Sequence, residues 1–474
     1  MSSVQTDHSS LRAMAVAHGQ GHLFAFHDEL PQAGREKLLK QIATLEFNVV
    51  DQLIAQFVRA KGQPAESGTI EPATVIALPA TPEEKRAEQA AREAGEMALR
   101  AGRVGCFLVA GGQGTRLKII GPKGIFKIGP VTDRTLFQLH AEKIRALRRR
   151  YRASIPWLIM TSDLNDEQTR AFFAERHFFN LGAETVRIFR QANMPAVDRE
   201  GRILLQAKDE LCLSPNGHGG SIKALHDSGA LLWLKEQGVD TLSYFQVDNV
   251  LVKIGDPVFI GHHVLARSQI STKVCRKRDW SERVGVVCKR GGRLGVIEYS
   301  DLPDSAAQET ERSGALRLWA GSIAIHILDA GFMGDLNRGG FQLPYHKAEK
   351  AVPCIGPDGS AVVLKCGEKN AIKFETFIFD ALPCAERAVV METPRQEDFS
   401  PVKNAEGEDS PETARRDLME MYARWLAAAG VKVPRKGDGS LNCHIEISPL
   451  TSLEGEGLEG KAPREIRPEQ DLVL

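Results

Sequence analysis

Residues 107–117 read FLVAGGQGTRL, an apolar run that breaks into a Gly-Gly-x-Gly turn and is followed by Thr115 and Arg116. The pattern is that of a buried strand running into a tight loop, where glycines let backbone N–H groups approach an anion closely. Neither common phosphate signature fits. A Walker loop needs Gly, four residues and then Gly-Lys-Ser/Thr, whereas the cation here is Arg116 with no hydroxyl after it. A dinucleotide fingerprint needs a third glycine where Leu117 stands. A Gly-rich turn also serves as a plain strand–helix connection, so its surroundings decide.

From residue 104 onward, short apolar runs alternate with helical patterns. VGCFLVA (104–110), WLIMTS (157–162), TVRIFR (185–190), TLSYFQV (241–247) and VGVVCK (284–289) read as strands, several too apolar to leave one face in water. TLFQLHAEKIRAL (135–147) and SIKALHDSGALLWLKEQG (221–238) read as helices. Such alternation predicts an α/β fold with a mostly parallel sheet covered on both faces, binding ligands at the carboxyl ends of its strands.

Ahead of this region, residues 20–58 read as helices. Leu38, Ile42 and Leu45 recur at helical spacing, as do Val50, Leu53, Ile54 and Phe57, after a shorter helix around HLFAFHDEL (22–30). A Gly/Pro-rich link, AKGQPAESGTIEP (60–72), follows. Thr81-Pro82-Glu83-Glu84 then opens another helix with a capping box, ending near Gly102. Past residue 390 a charged stretch (394–412) leads to a helix, TARRDLMEMYARWLAAAG (413–430), and an alternating strand, CHIEIS (443–448). The expected division is an N-terminal helical region (1–102), an α/β domain carrying the chemistry (103–390) and a small C-terminal α+β lobe (391–474).

The 474 residues suffice for two or three domains with a substantial core. Lys+Arg and Asp+Glu are both 61, so no charge bias points to nucleic acid or an anionic membrane. One basic run, RALRRRYR (145–152), reads as the solvated, dipole-favoured end of a helix. The eight cysteines carry no C-x-x-C pair or matched spacing, which predicts reduced and mostly buried thiols. The start, MSSVQTDHSS, lacks the apolar core of a signal peptide, and no apolar run approaches the ~18 residues of a membrane helix. A soluble cytoplasmic enzyme is the expectation.

Four further segments carry candidate chemistry. Arg116 supplies a planar fork suited to phosphate, and Lys123 follows on a constrained Pro-Lys-Gly turn. In YFQVDNVLVK (244–253) the strand ends at Asp248, where a carboxylate holds Mg²⁺ against phosphates or merely forms a turn. SPNGHGGSIKAL (214–225) makes a second Gly-rich turn, with Gly217 and His218, that approaches a base or sugar or only reverses the chain. Lysines are usually solvated, but Lys373 is flanked by Ile372, Phe374, Phe377 and Phe379, and Lys403 lies in EDFSPVKNAEG (397–407).

LVAGGQGTRL followed by PKG resembles the G-G-x-G-T-R-L…P-K signature of sugar-phosphate nucleotidyltransferases. The chain is further similar to the eukaryotic-type UDP-N-acetylglucosamine pyrophosphorylases of the UDP-sugar pyrophosphorylase family. The likeness runs through PWLIMTS, QANMPAV, SPNGHGG, VDNVLVKIGDPVFIG, VGVVCK, IEYSDL, IKFETFIFD, FSPVKNA and EISPLTSLEGEGLE, in order, and GHLFAFHDELPQAGREKLLKQI near the start. It implies a Rossmann-like mixed, mostly parallel sheet of the nucleotide-diphospho-sugar transferase type, with a helical region before it and a lobe after it. The implied reaction joins UTP and N-acetylglucosamine 1-phosphate into UDP-N-acetylglucosamine and pyrophosphate, with Mg²⁺.

Matched motif by motif, the family implies that the backbone of Val109, Ala110, Gly111 and Gly112 cradles UTP, with Arg116 and Lys123 at its phosphates. Gln191 matches a uracil-contacting glutamine, Gly217 a glycine beside the base, and Asp248 the metal-binding aspartate. Glu298 and Tyr299 match a pair that grips sugar hydroxyls, Lys373 a nucleotide-phosphate lysine, and Lys403 a lysine facing the sugar phosphate. His218 and Ser322 stand where the family usually has asparagine near the sugar. An amide donates and accepts at once, which a short hydroxyl or an imidazole does not reproduce. Glucose, galactose or N-acetylgalactosamine 1-phosphate are therefore the alternative acceptors. A UDP-sugar-dependent glycosyltransferase and a non-catalytic UDP-sugar sensor are the alternatives of another class, and the phosphate loop with its cations argues against both.

Overall fold

The structure, a computed structural model, describes residues 8–60, 68–119, 121–341 and 343–474. Residues 1–7 of the start and residues 61–67 of the Gly/Pro-rich link lie outside the described residues. The chain forms two compact units, one from residues within 1–67, 192–220 and 343–378, the other from 68–191, 221–342 and 379–474. This partition cuts across the three sequential parts expected from the sequence.

The first unit holds helices α1 (His8–Ala17), α2 (Gln32–Ala43) and α3 (Phe47–Ile54). Leu38, Ile42, Val50, Leu53, Ile54 and Phe57 are buried, as their spacing predicts, against Val197, Ile203, Leu211, Ile372 and Phe374. HLFAFHDEL is not one helix but two single turns, Gly21–Phe24 and His27–Glu29, parted at Phe26 (φ −104°, ψ 0°). Helix α1 escaped the sequence pattern because only Leu11 and Ala15 on it are buried.

The second unit is built on a ten-stranded mixed sheet. In chain order its strands are β1 (Ile70–Pro72), β2 (Val104–Val109), β3 (Trp157–Thr161), β4 (Val186–Arg190) and β5 (Thr241–Gln246). There follow β6 (Ile270–Arg276), β7 (Val286–Arg290), β8 (Arg293–Ile297), β9 (Ala320–Asp329) and β10 (Ala388–Glu392). The spatial order is β1-β7-β9-β5-β2-β3-β4, with β6 pairing β9 and β10, and β8 pairing β7. Strands β5, β2, β3 and β4 run parallel, and β9 turns the sheet antiparallel beside β5. Residues 157–160 of β3 are fully buried, which is why the run is apolar on both faces.

The unit's longer helices are α4 (Pro82–Arg100), α5 (Leu136–Tyr151), α6 (Asp166–Glu175), α7 (Gly220–Asp227), α8 (Ala230–Glu236), α9 (Pro257–Leu265) and α10 (Pro411–Ala428). The predicted capping box opens α4: Glu84 N–H donates to Thr81 Oγ1 at 3.2 Å, and Thr81 N–H donates to Glu84 Oε2 at 2.8 Å. Backbones of α4 and α9 touch, since a Cβ on Gly261 would lie 1.6 Å from the Ala91 carbonyl oxygen.

Two further expectations are corrected. The helix predicted over 221–238 is two helices, α7 and α8, because Gly229 takes φ +69° and restarts the chain. The basic run 145–152 is not simply a solvated face. Arg148 is half-buried and donates to the carbonyls of Ile155 (2.6 Å) and Leu181 (2.6 Å) and to Thr185 Oγ1 (2.8 Å). Arg149 bonds the Leu450 carbonyl, and Arg150 pairs with Glu454 and Glu456. The run ties α5 to the end of the chain.

All eight cysteines are free, and only Cys366 and Cys384 are exposed. Among the described residues, no helix is long and apolar enough to cross a membrane.

Candidate active site

Strands β2 and β5 lie side by side and parallel, with Val109 opposite Gln246. The Gly-rich loop after β2 and the Asp248 segment after β5 therefore leave the sheet at the same carboxyl edge. Strands β3 and β4 end there too, since Thr161 lies opposite Arg190. A parallel sheet delivers every such loop to one edge, and this builds the site.

Ala110 N–H makes the last ladder bond, to the Met160 carbonyl at 2.8 Å, before the chain turns. At Gly111 a Cβ would sit 2.7 Å from Gln191 Nε2, so only glycine lets the loop pass the amide. At Gly112 a Cβ would meet nothing within 4 Å, so this part of the loop is open. Arg116 is exposed on the single turn Thr115–Leu117. The buried Gln191 donates its backbone N–H to Thr161 O at 2.9 Å, while its side-chain Oε1 has no partner among the described residues.

Lys123 Nζ donates to Asp248 Oδ2 at 3.0 Å, both side chains being largely buried. Burial alone would raise the Asp248 carboxyl pKa, but Lys123 and Lys403 together hold it below its ordinary 3.8. The strand end is braced from beneath. His140 Nε2 bonds the Val247 carbonyl at 3.0 Å, and Lys143 Nζ donates to the carbonyls of Val250 (2.7 Å) and Val252 (2.9 Å). Burial pushes His140 down to about 3, which keeps it neutral as a donor.

Lys403, whose Nζ lies 4.0 Å from Asp409 Oδ2, is brought near Asp248 because two loops are stitched together. Val402 N–H donates to the Asp248 carbonyl at 3.0 Å and Val250 N–H to the Ser400 carbonyl at 3.3 Å. Asn249 completes the seam, donating to Asp398 O at 2.7 Å and accepting from Ser400 N–H at 3.0 Å. Behind it, the fully buried Lys273 donates to Asp398 Oδ2 (2.5 Å) and Asp256 Oδ2 (2.7 Å), and Thr393 Oγ1 donates to Asp398 Oδ2 (2.7 Å).

A second group sits where β8 ends and β9 begins. Ser322 N–H donates to the Gly285 carbonyl at 2.8 Å, and a Cβ on Gly285 would lie 3.1 Å from Glu298 Oε1. Ser322 and Glu298 therefore share one edge, while Tyr299 next door is 50% exposed.

Gly217, His218 and Lys373 belong to the first unit. Gly217 takes φ +85°, and a Cβ there would lie 2.4 Å from the Thr376 carbonyl oxygen, so glycine is required twice over. His218 is not an idle loop residue. Its Nδ1 accepts the Ile378 N–H at 3.2 Å, and burial pushes its pKa down to about 4, leaving a neutral ring. Lys373 is half-buried on the strand Ala371–Glu375 between the buried Ile372 and Phe374, the partly buried edge its neighbours implied.

Two residues that no motif singles out hold the loop. Ser162 Oγ donates to the Gly111 carbonyl at 2.8 Å, and Asn165 Nδ2 donates to the carbonyls of Ala110 (2.8 Å) and Gly112 (3.2 Å). Their signal was a polar cluster, TSDLN, directly after a wholly apolar strand. Among the described residues, no group of three or more His, Cys, Asp or Glu side chains could hold a metal by itself.

Residues 52–419 match a family model described as UTP–glucose-1-phosphate uridylyltransferase. The chain is 36% identical to UDP-N-acetylhexosamine pyrophosphorylase-like protein 1 of Homo sapiens, over 95% of this chain and 94% of the human one. It is 33% identical to UDP-N-acetylglucosamine diphosphorylase 2 of Arabidopsis thaliana, over 95% of this chain and 91% of that protein. The crystal structure of the uridine diphosphate N-acetylglucosamine pyrophosphorylase from Trypanosoma brucei in complex with inhibitor superposes with a TM-score of 0.83, at 27% identity over 98% of each chain.

Proposed function

Because the chain belongs to the UTP–glucose-1-phosphate uridylyltransferase family and is a nucleotidyltransferase, we propose that it makes UDP-N-acetylglucosamine and pyrophosphate from UTP and N-acetylglucosamine 1-phosphate. The strongest support within the molecule is the convergence of the Gly-rich loop, Lys123, Asp248 and Lys403 at one sheet edge. The relatives' names favour an N-acetylated sugar.

In the proposed reaction a phosphate oxygen of the sugar 1-phosphate attacks the α-phosphorus of UTP in line with the leaving group. One P–O bond forms, the bond to the bridging oxygen of pyrophosphate breaks, and pyrophosphate departs with that electron pair. No covalent enzyme intermediate or proton transfer is required, so the protein's task is positioning and charge neutralisation between two anions. The backbone of Val109 to Gly112 and the side chains of Arg116 and Lys123 hold the UTP phosphates in this scheme. Lys403 holds the phosphate of the sugar. In Gln191 the unpartnered Oε1 accepts the uracil N3–H while Nε2 donates to a ring carbonyl, which suits a buried amide beside a glycine.

Mg²⁺ is usually held by one or two carboxylates plus substrate phosphates and water. Asp248 fits that role, being ionised, largely buried and already matched with a cation in Lys123. When bound, the ion would neutralise charge on the phosphates. We assign Glu298 and Tyr299 to sugar hydroxyls. For the smaller unit we assign Gly217 to the base, Lys373 to nucleotide phosphate and His218 to the sugar. Ser322, a short hydroxyl where the family usually has asparagine, favours a second reading in which glucose, galactose or N-acetylgalactosamine 1-phosphate is accepted as well. A cytoplasmic location belongs to the same proposal.

The test is pyrophosphate release from UTP across hexose and N-acetylhexosamine 1-phosphates. The proposal expects release that is fastest with N-acetylglucosamine 1-phosphate. UTP binding with no release from any sugar phosphate would establish a sensor instead, and sugar transfer from a UDP-sugar without pyrophosphate would establish a glycosyltransferase.

A further inference from the structure

In a peptide plane the C=O of one residue and the N–H of the next point in opposite directions. Two side chains, Ser162 and Asn165, reach the carbonyls of Ala110, Gly111 and Gly112, the last of which also accepts Lys123 N–H at 3.4 Å. The N–H groups of Gly111, Gly112 and Gln113 are therefore turned away from those side chains, and Gly112 is open, with nothing within 4 Å of where a Cβ would stand. Both side chains are buried, Ser162 at 0% and Asn165 at 1% exposure, so the bonds to Gly111 and Ala110 do not compete with water.

Asn165 occupies the N-cap position of α6, where an asparagine ordinarily spends its side chain on the helix's own N–H groups. Here it makes no such bond. Its Oδ1 instead accepts Ser162 N–H at 2.9 Å and Ser162 Oγ at 3.3 Å, and its amide nitrogen goes to the loop. The geometry points to Ser162 and Asn165 as positioning residues that aim the N–H groups of residues 111–113 at the phosphates of UTP. This rests on the loop being the triphosphate site. Neither residue touches substrate; each acts by fixing peptide planes, so the N–H donors are oriented before the nucleotide arrives and no reorganisation is needed during the reaction.

The experiment uses the full chain with Mg²⁺ and measures the Kd of UTP by calorimetry and that of uridine by competition against UTP. Uridine carries the base and ribose without the phosphates. Asn165→Ala is expected to weaken UTP at least tenfold and Ser162→Ala severalfold, while uridine changes less than twofold. KM for UTP should rise, and KM for the sugar phosphate should stay within twofold. Ser162→Ala removes a single oxygen and keeps the backbone bond to Asn165, so it tests the idea even where Asn165→Ala does not fold. UTP affinity within twofold of wild type in Ser162→Ala and in any folded Asn165→Ala protein would overturn the assignment, as would equal losses for UTP and uridine. A wild-type protein that binds no UTP would overturn the phosphate reading itself, which separates the two failures.

Discussion

Replacing Asp248 by asparagine keeps the side chain's volume and leaves an amide oxygen to accept from Lys123, but removes the charge between Lys123 and Lys403. At the observed 3.0 Å separation and an effective dielectric of about 20, the lost attraction to Lys123 is about 5–6 kcal/mol. Removing the carboxylate relieves only its own desolvation and leaves the largely buried Lys123 without a counter-charge, so Asp248→Asn should cost about 3 kcal/mol of stability. Turnover of the folded variant should fall as well, because the carboxylate proposed to hold Mg²⁺ is gone. One such electrostatic contact is worth about 10²–10³ in kcat.

The assay pairs pyrophosphate release from UTP and N-acetylglucosamine 1-phosphate with urea unfolding of the same preparations. Because the folded Asp248 pKa lies below 3.8, the ion pair's contribution is fully present above that unfolded value. It is lost as pH falls through the lower folded value, so the stability gap between wild type and Asp248→Asn should stay constant above about pH 5 and close only in strong acid. A variant that unfolds like wild type and retains kcat/KM within tenfold would refute the role of Asp248.

Arg116→Ala should leave the unfolding free energy within about 0.5 kcal/mol, since the side chain is exposed. Its kcat/KM for UTP should fall at least about 10²-fold, and near-normal activity would remove Arg116 from the phosphate site. Lys273→Met strands the buried carboxylates of Asp256 and Asp398 and should cost about 3–5 kcal/mol in urea unfolding; a loss under about 1 kcal/mol would contradict the pairing described. Ser322→Asn should raise kcat/KM for N-acetylated sugars relative to glucose 1-phosphate, and an unchanged ratio would show that Ser322 does not choose the sugar.

The strands flanking the site were legible because a buried parallel strand needs apolar side chains on both faces, a pattern confined to about six residues. The capping box at Thr81 was legible for the same reason: donor and acceptor lie three residues apart. The break between α7 and α8 is not legible because the apolar spacing continues across Gly229, where the glycine uses a conformation the spacing does not register. The anchoring role of the basic run is not legible either, because nothing local shows that Arg148 meets carbonyls at residues 155 and 181. Asp248 and Lys123 were readable as candidates from their own short motifs. Their pairing was not, since they lie 125 residues apart.

By itself, the sequence determined the family, the apolar strands, the glycine turns and which loops carry cations and a carboxylate, because each is written in contiguous residues. Only the tertiary structure decided that Lys403 is stitched to Asp248 through Asn249 and Ser400, and that Ser162 and Asn165 hold the carbonyls of the phosphate loop. Strand order and register select those contacts. A parallel sheet brings separate βα loops to one edge, and the hydrogen bonds between them exist only once the strands have paired.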